Sequence, residues 1–339
     1  MYTTSFFGVK RMSSLEKIRI SIGTAGVLGL VDIRLDVPPT TAYLMTYTEG
    51  NCIGNCAFCA QARDGNSERD HLSRVIWPAF QWEDVLKSFR NPRLDVLERV
   101  CIQIINYPGF IEDVYSLVKS LKENTELPIS VDTCPLDKEA MNKLKQSGVE
   151  RISIPLDAAT ESLFDSVKGK YVNGPYRWEN HLRAIENAVE IFGEGMVGSN
   201  LIIGFGESEE EAISLIQRLK DTSVLTSLFA FTPLKGTKLE HLDQPQLKSY
   251  RRIQVARHLI SIKASKSCKM GFIDGRLTDF GIKDWKEYLG GGLAFQTSGC
   301  PGCNRPFYNE KPSGPFYNYP RPLTEEEFKK ETRLIGHFR

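Results

Sequence analysis

The chain has 339 residues, of which 41% are hydrophobic and 25% charged, and its formal net charge is +1 at pH 7. This length supports one barrel-sized domain with an appendage, or two domains, and the composition is ordinary for a soluble globular protein. The near-neutral charge argues against a nucleic-acid or anionic-membrane surface, no apolar stretch reaches transmembrane length, and the eight cysteines predict metal ligation in a reducing cytoplasm.

Residues 1–40 are expected to form a leader with one short helical candidate, Ser13 to Ile20. The apolar run 41–47 predicts the first strand, and the loop that leaves it carries Cys52, Cys56 and Cys59. Three thiolates suit a soft metal site, either zinc or an iron–sulfur cluster. A closed zinc site usually needs a fourth ligand, and no His or Cys follows nearby.

From residue 41 to 265, short apolar runs alternate with amphipathic stretches. Further strands are predicted at 99–105, 127–131, 151–154, 198–203 and 227–231, and helices at 111–124, 138–147, 176–192, 208–221 and 247–262. This repetition predicts an α/β fold, a partial or complete TIM-like (βα) barrel, with the chemistry at the C-terminal ends of the strands. A doubly wound sheet is the alternative, but no Gly-x-Gly-x-x-Gly pattern follows the first strand.

Residues 266–339 differ in composition and are expected to form a cap that folds back on the barrel. Cys300-Pro-Gly-Cys303 lies in a glycine-rich loop, where Gly and Pro set a turn and both thiols face one point. Together with Cys268, this pair predicts a second metal site. The alternatives are a structural zinc site and a redox-active cysteine pair.

The spacing of Cys52, Cys56 and Cys59, with an aromatic residue just before the last cysteine, resembles the signature of the radical S-adenosylmethionine (SAM) superfamily. The resemblance covers about residues 40–265. It implies that the three thiolates hold a 4Fe–4S cluster whose open iron chelates SAM, and that an electron from the cluster cleaves SAM to a 5′-deoxyadenosyl radical. A low-potential donor of the ferredoxin or flavodoxin type is therefore an expected partner.

The same resemblance implies five SAM contacts, at Phe58, Asn106, Tyr107, Asp157 and Gly204. Phe58 corresponds to the aromatic side chain that lies against adenine, although it could instead anchor the loop in the core. Asn106 and Tyr107 stand where the family binds the methionine amine, in place of the usual Gly-Gly-Glu. Asp157 corresponds to a ribose ligand, with a helix N-cap as the alternative. Gly204 closes over adenine or serves only the turn.

Within the superfamily, the nearest pattern is that of biotin synthase. Cys101 and Cys134 stand where that enzyme places two ligands of its 2Fe–2S cluster, but Gly198 occupies the third position. The stretch that reads dethiobiotin is replaced by Ser153-Ile-Pro-Leu156. Both departures argue against biotin synthase itself, and Cys101 and Cys134 are then expected to be buried packing residues.

A biotin-synthase-like barrel with this C-terminal region resembles the split-type lipoyl synthases, a two-protein system. That resemblance implies a second, sulfur-donating 4Fe–4S cluster at Cys268, Cys300 and Cys303, with Ser298 and Arg305 as candidates for the fourth ligand. It also implies sulfur insertion into an octanoyl chain carried by a lipoyl domain or a glycine-cleavage carrier protein, at C6 or C8, and a second radical SAM component as partner.

Three rival functions remain open. Biotin synthase, or another enzyme that inserts sulfur into a small molecule, would use the same two kinds of site. A tRNA methylthiotransferase is disfavoured because no basic RNA-binding module is appended. A non-catalytic iron–sulfur or zinc protein is the alternative from a different class.

Overall fold

The computed structural model describes residues 16–90 and 95–336. Its strands are β1 (Lys17–Ile20), β2 (Thr41–Met45), β3 (His71–Leu72), β4 (Val75–Ile76), β5 (Ala79–Gln81), β6 (Arg99–Gln103), β7 (Ile129–Asp132), β8 (Val149–Ser153), β9 (Val197–Ile203), β10 (Val224–Ala230), β11 (Gly271–Ile273) and β12 (Arg276–Asp279). Its α-helices are α1 (Ile22–Val27), α2 (Trp82–Phe89), α3 (Phe110–Lys122), α4 (Lys138–Gln146), α5 (Glu161–Val167), α6 (Trp178–Phe192), α7 (Glu209–Asp221), α8 (Leu247–Ser261) and α9 (Glu325–Ile335). Short 3₁₀ turns cover Lys170–Val172, Ser267–Lys269 and parts of Trp285–Phe295.

Eight of these strands form one sheet, in the order β10-β9-β8-β7-β6-β2-β1-β5. Six of them are parallel to one another: β2, β6, β7, β8, β9 and β10. Strand β1 pairs antiparallel with both β2 and β5. Helices connect the parallel strands, so the sheet curves as a partial (βα) barrel. The predicted α/β barrel is therefore confirmed, in its partial form.

Strand β9 shows why these sequences form barrel strands. Val197, Ser199 and Leu201 are fully buried against the helices, whereas Asn200 and Ile202 point the other way and line the lumen. This alternation follows from the two-residue period of a strand. It places a polar side chain on the inner face without exposing the apolar outer face to water.

The predicted helix from Ser13 to Ile20 is wrong where the structure describes it, because residues 17–20 form β1; residues 13–15 lie outside the described residues. Ile18 and Ile20 alternate with charged residues and are completely buried, as in a strand. Pairing with β2 on one side and β5 on the other satisfies the backbone of β1. Pairing with two neighbouring strands thus outweighs the weak local preference of residues 17–20 for a helix.

The C-terminal region packs on α8 through the buried side chain of Arg251. Its Nε donates to Glu331 Oε2 at 2.7 Å, and its Nη1 donates to the carbonyl of Tyr317 at 2.6 Å. Tyr319 donates its hydroxyl proton to the other oxygen of Glu331 at 2.8 Å. A buried ion pair with its remaining hydrogen bonds satisfied fixes geometry, so residues 317–331 are held against the barrel.

Helices long and apolar enough to span a membrane are absent from the described residues.

Candidate active site

The lumen of the barrel contains a cavity of about 600 Å³, and every cysteine except Cys268 lies on its wall. Each parallel strand contributes inward-facing side chains: Tyr43 and Met45, Cys101 and Gln103, Ser130 and Asp132, Arg151 and Ser153, Asn200 and Ile202, and Ser227 and Phe229. The loop after β2 closes one part of the cavity, and residues 299–309 close another. The cavity therefore joins the two cysteine motifs that the sequence separates.

Backbone hydrogen bonds fix the loop that carries Cys52, Cys56 and Cys59. The N–H of Ile53 donates to the carbonyl of Asn106 at 2.7 Å, and the N–H of Ala57 donates to the carbonyl of Val167 at 2.7 Å. Within the loop, the N–H groups of Gly54 and Gln61 point at the sulfurs of Cys52 and Cys59, at 3.3 and 3.4 Å. Such donors stabilise thiolates that are bound to iron.

The spacing of these thiols suits a cluster better than a single ion. Three thiolates on one zinc ion, with bonds of about 2.3 Å, must lie within about 4 Å of one another. Across residues 16–90 and 95–336, the only three ligand groups within 4.8 Å of one another belong to Glu68, Asp70 and His71. Neither Cys52, Cys56 and Cys59 nor the cysteines of the C-terminal motif meet that condition. A cluster in which each thiolate binds its own iron fits them.

Burial keeps the thiols of this loop protonated when they bind no metal. Desolvation raises the pKa of Cys52 and Cys56, and it raises that of Cys59 to about 12. Binding iron must therefore displace protons, and the bound metal charge would compensate the buried thiolates.

A buried ion pair lies beside these thiols. Lys168 Nζ is 2.7 Å from Asp157 Oδ2, and both side chains are at most 10% exposed. Burial acts to lower the pKa of Lys168, but Asp157 and the nearby Cys56 outweigh it and raise that pKa. Asp157 is not a helix N-cap, because Thr160 caps α5. Its backbone is left-handed (φ 67°), which turns the carboxylate toward Lys168 and the cavity.

Two of the five predicted SAM contacts lie on the cavity wall, Phe58 and Asp157. The ring of Phe58 also packs on Phe205, with 5.3 Å between centroids, so it serves the core as well as the cavity. Phe205 in turn packs on Phe231 at 5.4 Å. The two interpretations of Phe58 are therefore compatible.

The other three predicted contacts stand behind the wall. Asn106 donates to the hydroxyl of Tyr176 at 3.1 Å, and Tyr107 donates to Asp113 at 2.8 Å. The backbone N–H of Gly204 (φ 125°) donates to the Glu207 carboxylate at 2.6 Å, which closes the turn after β9. In this conformation the side chains of Asn106 and Tyr107 and the backbone of Gly204 make these contacts and do not line the cavity.

Cys101, Cys300 and Cys303 form the second group of thiols. Cys101 on β6 is the register partner of Tyr43 on β2, and the Tyr43 hydroxyl lies 3.3 Å from the sulfur of Cys303. Cys101 also lies close enough to Cys300 and Cys303 for their charges to raise its pKa, after the larger effect of burial. The barrel strand and the C-terminal motif therefore contribute to one site.

Cys268 is not part of this group, contrary to the sequence prediction. It is exposed, in the turn Ser267–Lys269, and the neighbouring Ser267 donates its N–H to Gln217 on α7 at 2.9 Å. That turn follows α8 on the outer, helical side of the barrel, whereas Cys300 lies on the cavity wall. The structure brings Cys101 to the pair instead. Packing alone, the role predicted for Cys101, does not describe this position.

Cys134 lies elsewhere on the wall, near Cys52 and Tyr176. Burial, with a smaller contribution from Cys52, raises its pKa to about 11. It therefore does not stand beside Cys101 as a second ligand of a biotin-synthase-type cluster. A packing role agrees with this position.

Of the two candidates for a fourth ligand, only Arg305 faces the cavity. Its guanidinium lies 3.9 Å from the centroid of the Phe229 ring and donates to the carbonyl of Ser298, and its Nε has no partner among the described residues. The hydroxyl of Ser298 instead accepts the N–H of Leu228 at 2.8 Å. Ser298 thus serves the edge of β10.

Four residues of the site were not predicted: Tyr43, Asp132, Lys168 and Tyr176. The inward position of Tyr43 and Asp132 follows from strand alternation, a signal that could have identified them. Asp132 accepts a hydrogen bond from Asn200 at 3.0 Å, and desolvation raises its pKa to about 7. Lys168 and Tyr176 lie on loops, where no periodicity marks them.

Comparison with known families places residues 48–219 of this chain in a match to the sequence model of the Radical SAM superfamily. The chain is similar to biotin synthase of Clostridium acetobutylicum, with 30% identity over 199 residues that cover 57% of this chain and 56% of that protein. It is similar to biotin synthase of Methanococcus aeolicus, with 27% identity over 246 residues and 70% of each protein. The chain thus spans little more than half of the first of these relatives.

Among solved structures, the chain is similar to the FeFe-hydrogenase maturase HydG from Carboxydothermus hydrogenoformans, with 17% identity and a TM-score of 0.49 over 66% of this chain and 52% of that chain. It is also similar to methylornithine synthase (PylB), with 15% identity and a TM-score of 0.48 over 72% of this chain and 73% of that chain.

Proposed function

The chain belongs to the radical SAM superfamily, and we propose that within it the protein inserts sulfur into an octanoyl or thio-octanoyl chain bound to a carrier protein, as in lipoyl cofactor biosynthesis. The observation that carries this proposal is that two groups of half-buried thiols line one cavity. One group would serve radical formation and the other would supply sulfur. Similarity to biotin synthases, which covers about half of their length, supports a sulfur-inserting reaction.

The residues present fit the two clusters. Cys52, Cys56 and Cys59 would hold the first, with N–H donors aimed at two of the sulfurs. The second group, Cys101, Cys300 and Cys303, would hold another, with Arg305 facing it. When bound, the first cluster supplies the electron that cleaves SAM to the 5′-deoxyadenosyl radical, and the second supplies sulfur.

The other residues of the cavity would bind and orient the reactants. Lys168 and Asp157 form a preorganised charged pair beside Cys56, suited to the amino-acid and ribose groups of SAM. Phe58 presents a ring to adenine. The walls of the lumen would limit the access of water to the radical, which protects such an intermediate.

An apolar wall supports an alkyl substrate. Tyr43, Met45, Trp77 and Ile105 pack together, and the cluster they form contacts Cys52 of the first thiol group and Cys101 and Cys303 of the second. A linear hydrocarbon lying along this wall would reach from one thiol group to the other. Its C–H bonds offer no charge for recognition, so apolar contact is what could hold it.

Biotin synthase is the second candidate, favoured by the names of the similar proteins. In this chain Gly198 occupies the position of the third cluster ligand that biotin synthase carries on its strands. Gly198 packs against Ser153, and a Cβ added at Gly198 would lie 3.4 Å from the Ser153 hydroxyl. A thiol set confined to the strands is therefore incomplete, and the C-terminal pair is left without a role. For this reason we favour the acyl-chain substrate.

We expect three kinds of protein partner for this function. These are an octanoylated lipoyl domain or glycine-cleavage carrier protein, a second radical SAM component, and a ferredoxin- or flavodoxin-type electron donor, all in the cytoplasm. Nucleic acid and membrane are not expected partners.

The test is a single-turnover assay after anaerobic reconstitution with iron, sulfide, SAM and dithionite. Octanoyl-lysine and thio-octanoyl-lysine peptides, free octanoate, dethiobiotin and transfer RNA are offered in parallel, and each product is weighed by mass spectrometry. We expect added sulfur only on an acyl-lysine peptide, at C6 or C8. Efficient conversion of dethiobiotin to biotin would establish the second candidate. Failure to release 5′-deoxyadenosine under any condition would point to a non-catalytic iron–sulfur protein.

A further inference from the structure

The cavity is bordered by two short segments that carry exposed isoleucines. The first, the rim segment, is residues 33–39, and the second, the rim hairpin, is residues 71–76, which include β3 and β4. Ile33 on the rim segment is 40% exposed, and Ile76 on the rim hairpin is 42% exposed. Both line the cavity, as do four apolar neighbours: Leu35, Val37, Leu72 and Val75.

Both segments are tied to the C-terminal motif. Asn304, next to Cys303, accepts the N–H of Thr40 and donates to the carbonyl of Pro38, each at 3.0 Å. On the other side, Ser73 donates to the carbonyl of Tyr308 at 3.0 Å. Residues 304–308 thus span the two segments, and the second thiol group stands directly behind the opening.

The apolar surface continues inward without a break. Leu72 and Val75 of the rim hairpin contact the wall formed by Tyr43, Met45, Trp77 and Ile105. That wall also contacts Cys52, Cys101 and Cys303. A chain that passes between Ile33 and Ile76 would therefore meet apolar side chains along its whole path to the thiols.

We propose that the alkyl chain of a carrier-bound acyl group enters between the rim segment and the rim hairpin, with its amide near Ile33 and Ile76. This inference rests on the proposed function and adds the route to it. A substrate attached to a protein cannot be enclosed completely, so one end of the cavity must stay open to the attachment. Half-exposed isoleucines on both sides of an opening are what a passing alkyl chain would cover.

The test measures binding of a fluorescent octanoyl-lysine peptide to the reconstituted enzyme by anisotropy, with the matching acetyl-lysine peptide as reference. The variants are Ile33→Asp and Ile76→Asp. A third variant, Ile273→Asp, is the matched control, because Ile273 is 65% exposed on β11, away from the cavity. We expect the rim variants to bind the octanoyl peptide at least about tenfold more weakly, about 1.4 kcal/mol. The Ile273→Asp control should bind like the wild type, and its SAM cleavage without substrate should be unchanged.

The outcomes separate the route from the function. If the wild type binds the octanoyl peptide no better than the acetyl peptide, the proposed substrate is wrong. If the wild type prefers the octanoyl peptide and both rim variants keep that preference, the route is wrong. Thermal melts check folding of each variant. If an Asp variant unfolds, it is replaced by Ile33→Ser or Ile76→Ser, which adds no charge. The same preference for the octanoyl over the acetyl peptide is then measured.

Discussion

The hydroxyl of Tyr43 lies 3.3 Å from the sulfur of Cys303, and the same oxygen accepts the backbone N–H of Arg305 at 2.9 Å. Burial, and then the neighbouring Cys303, raises the pKa of Tyr43 well above its usual value, so the phenol stays protonated. Because the N–H of Arg305 occupies an acceptor position of the oxygen, the hydroxyl proton is available to the sulfur. Tyr43 is therefore placed to donate a hydrogen bond to Cys303, which is a ligand of the second cluster under the proposed function.

We predict that Tyr43→Phe lowers the reduction potential of the second cluster and speeds its loss of iron. A donor to a thiolate stabilises the more negative, reduced state, and a hydrogen bond to a charged group is worth about 1.5–3 kcal/mol. Redox titration followed by electron paramagnetic resonance measures the potential. Tyr250→Phe is the control, because it removes a buried hydroxyl that donates to Asn318 at 3.1 Å and not to a thiol. Equal shifts in both variants would show a merely structural effect.

Cysteine variants distinguish the thiol group that lines the cavity, Cys101, Cys300 and Cys303, from the ligand set expected from sequence. Cys101→Ala should remove about half of the bound iron and sulfide, if two similar clusters are present, because it deletes a ligand. Cys268→Ala should leave both unchanged, since that side chain is exposed on the outside. SAM cleavage should persist in both variants and disappear in Cys52→Ala. Iron loss from the Cys268 variant with full retention in the Cys101 variant would restore the original assignment.

The Lys168–Asp157 pair should matter for both stability and SAM binding. Lys168→Met would leave a buried carboxylate without its partner, which costs about 3–5 kcal/mol. Denaturant unfolding of the metal-free protein measures this loss, and calorimetry measures SAM affinity. The double variant Lys168→Met/Asp157→Asn should regain most of the stability but not the affinity. A double variant that binds SAM like the wild type would remove the pair from the SAM site.

Glu310 gives a pH dependence of known sign. It is 3% exposed, its Oε2 has no partner in the described part of the chain, and burial raises its pKa from 4.5 to about 7. The folded protein therefore binds more protons than the unfolded chain between these values. As the pH rises from 4.5 to about 7, the free energy of unfolding of the wild type should fall relative to that of Glu310→Gln. The fall is about 1.4 kcal/mol for each pH unit in this window. Unfolding curves of both proteins at pH 4.5, 6 and 8 test this, and a constant difference would contradict it.

Periodicity predicted the barrel because each parallel strand carries its own signal. The strand expected at 198–203, for example, is β9 at Val197–Ile203. Strand β1 could not be predicted in the same way, because four residues hold too little pattern and only pairing with β2 and β5 fixes them. Local sequence suffices where an element is long enough to show several periods of its apolar pattern.

The site shows the same division. Cys52, Cys56 and Cys59 share one loop, so their spacing predicted a metal site and carried the resemblance that implied a cluster, and the spacing of Cys300 and Cys303 predicted a second metal site. The partnership of Cys101 with that pair depends on the register that sets Cys101 beside Tyr43 and on the path of the C-terminal segment across the barrel. Neither is visible from spacing in one sequence.

The split origin of the second thiol group has a consequence for how the protein matures. During synthesis the ribosome releases Cys52, Cys56 and Cys59 together, soon after the first barrel strand, whereas Cys101 must wait for almost the whole remaining chain before Cys300 emerges. The second thiol group is therefore complete only once residues 300–303 have been made and packed onto the barrel, where Arg251 holds the C-terminal region. Under the proposed function, we expect the second cluster to be inserted after the first.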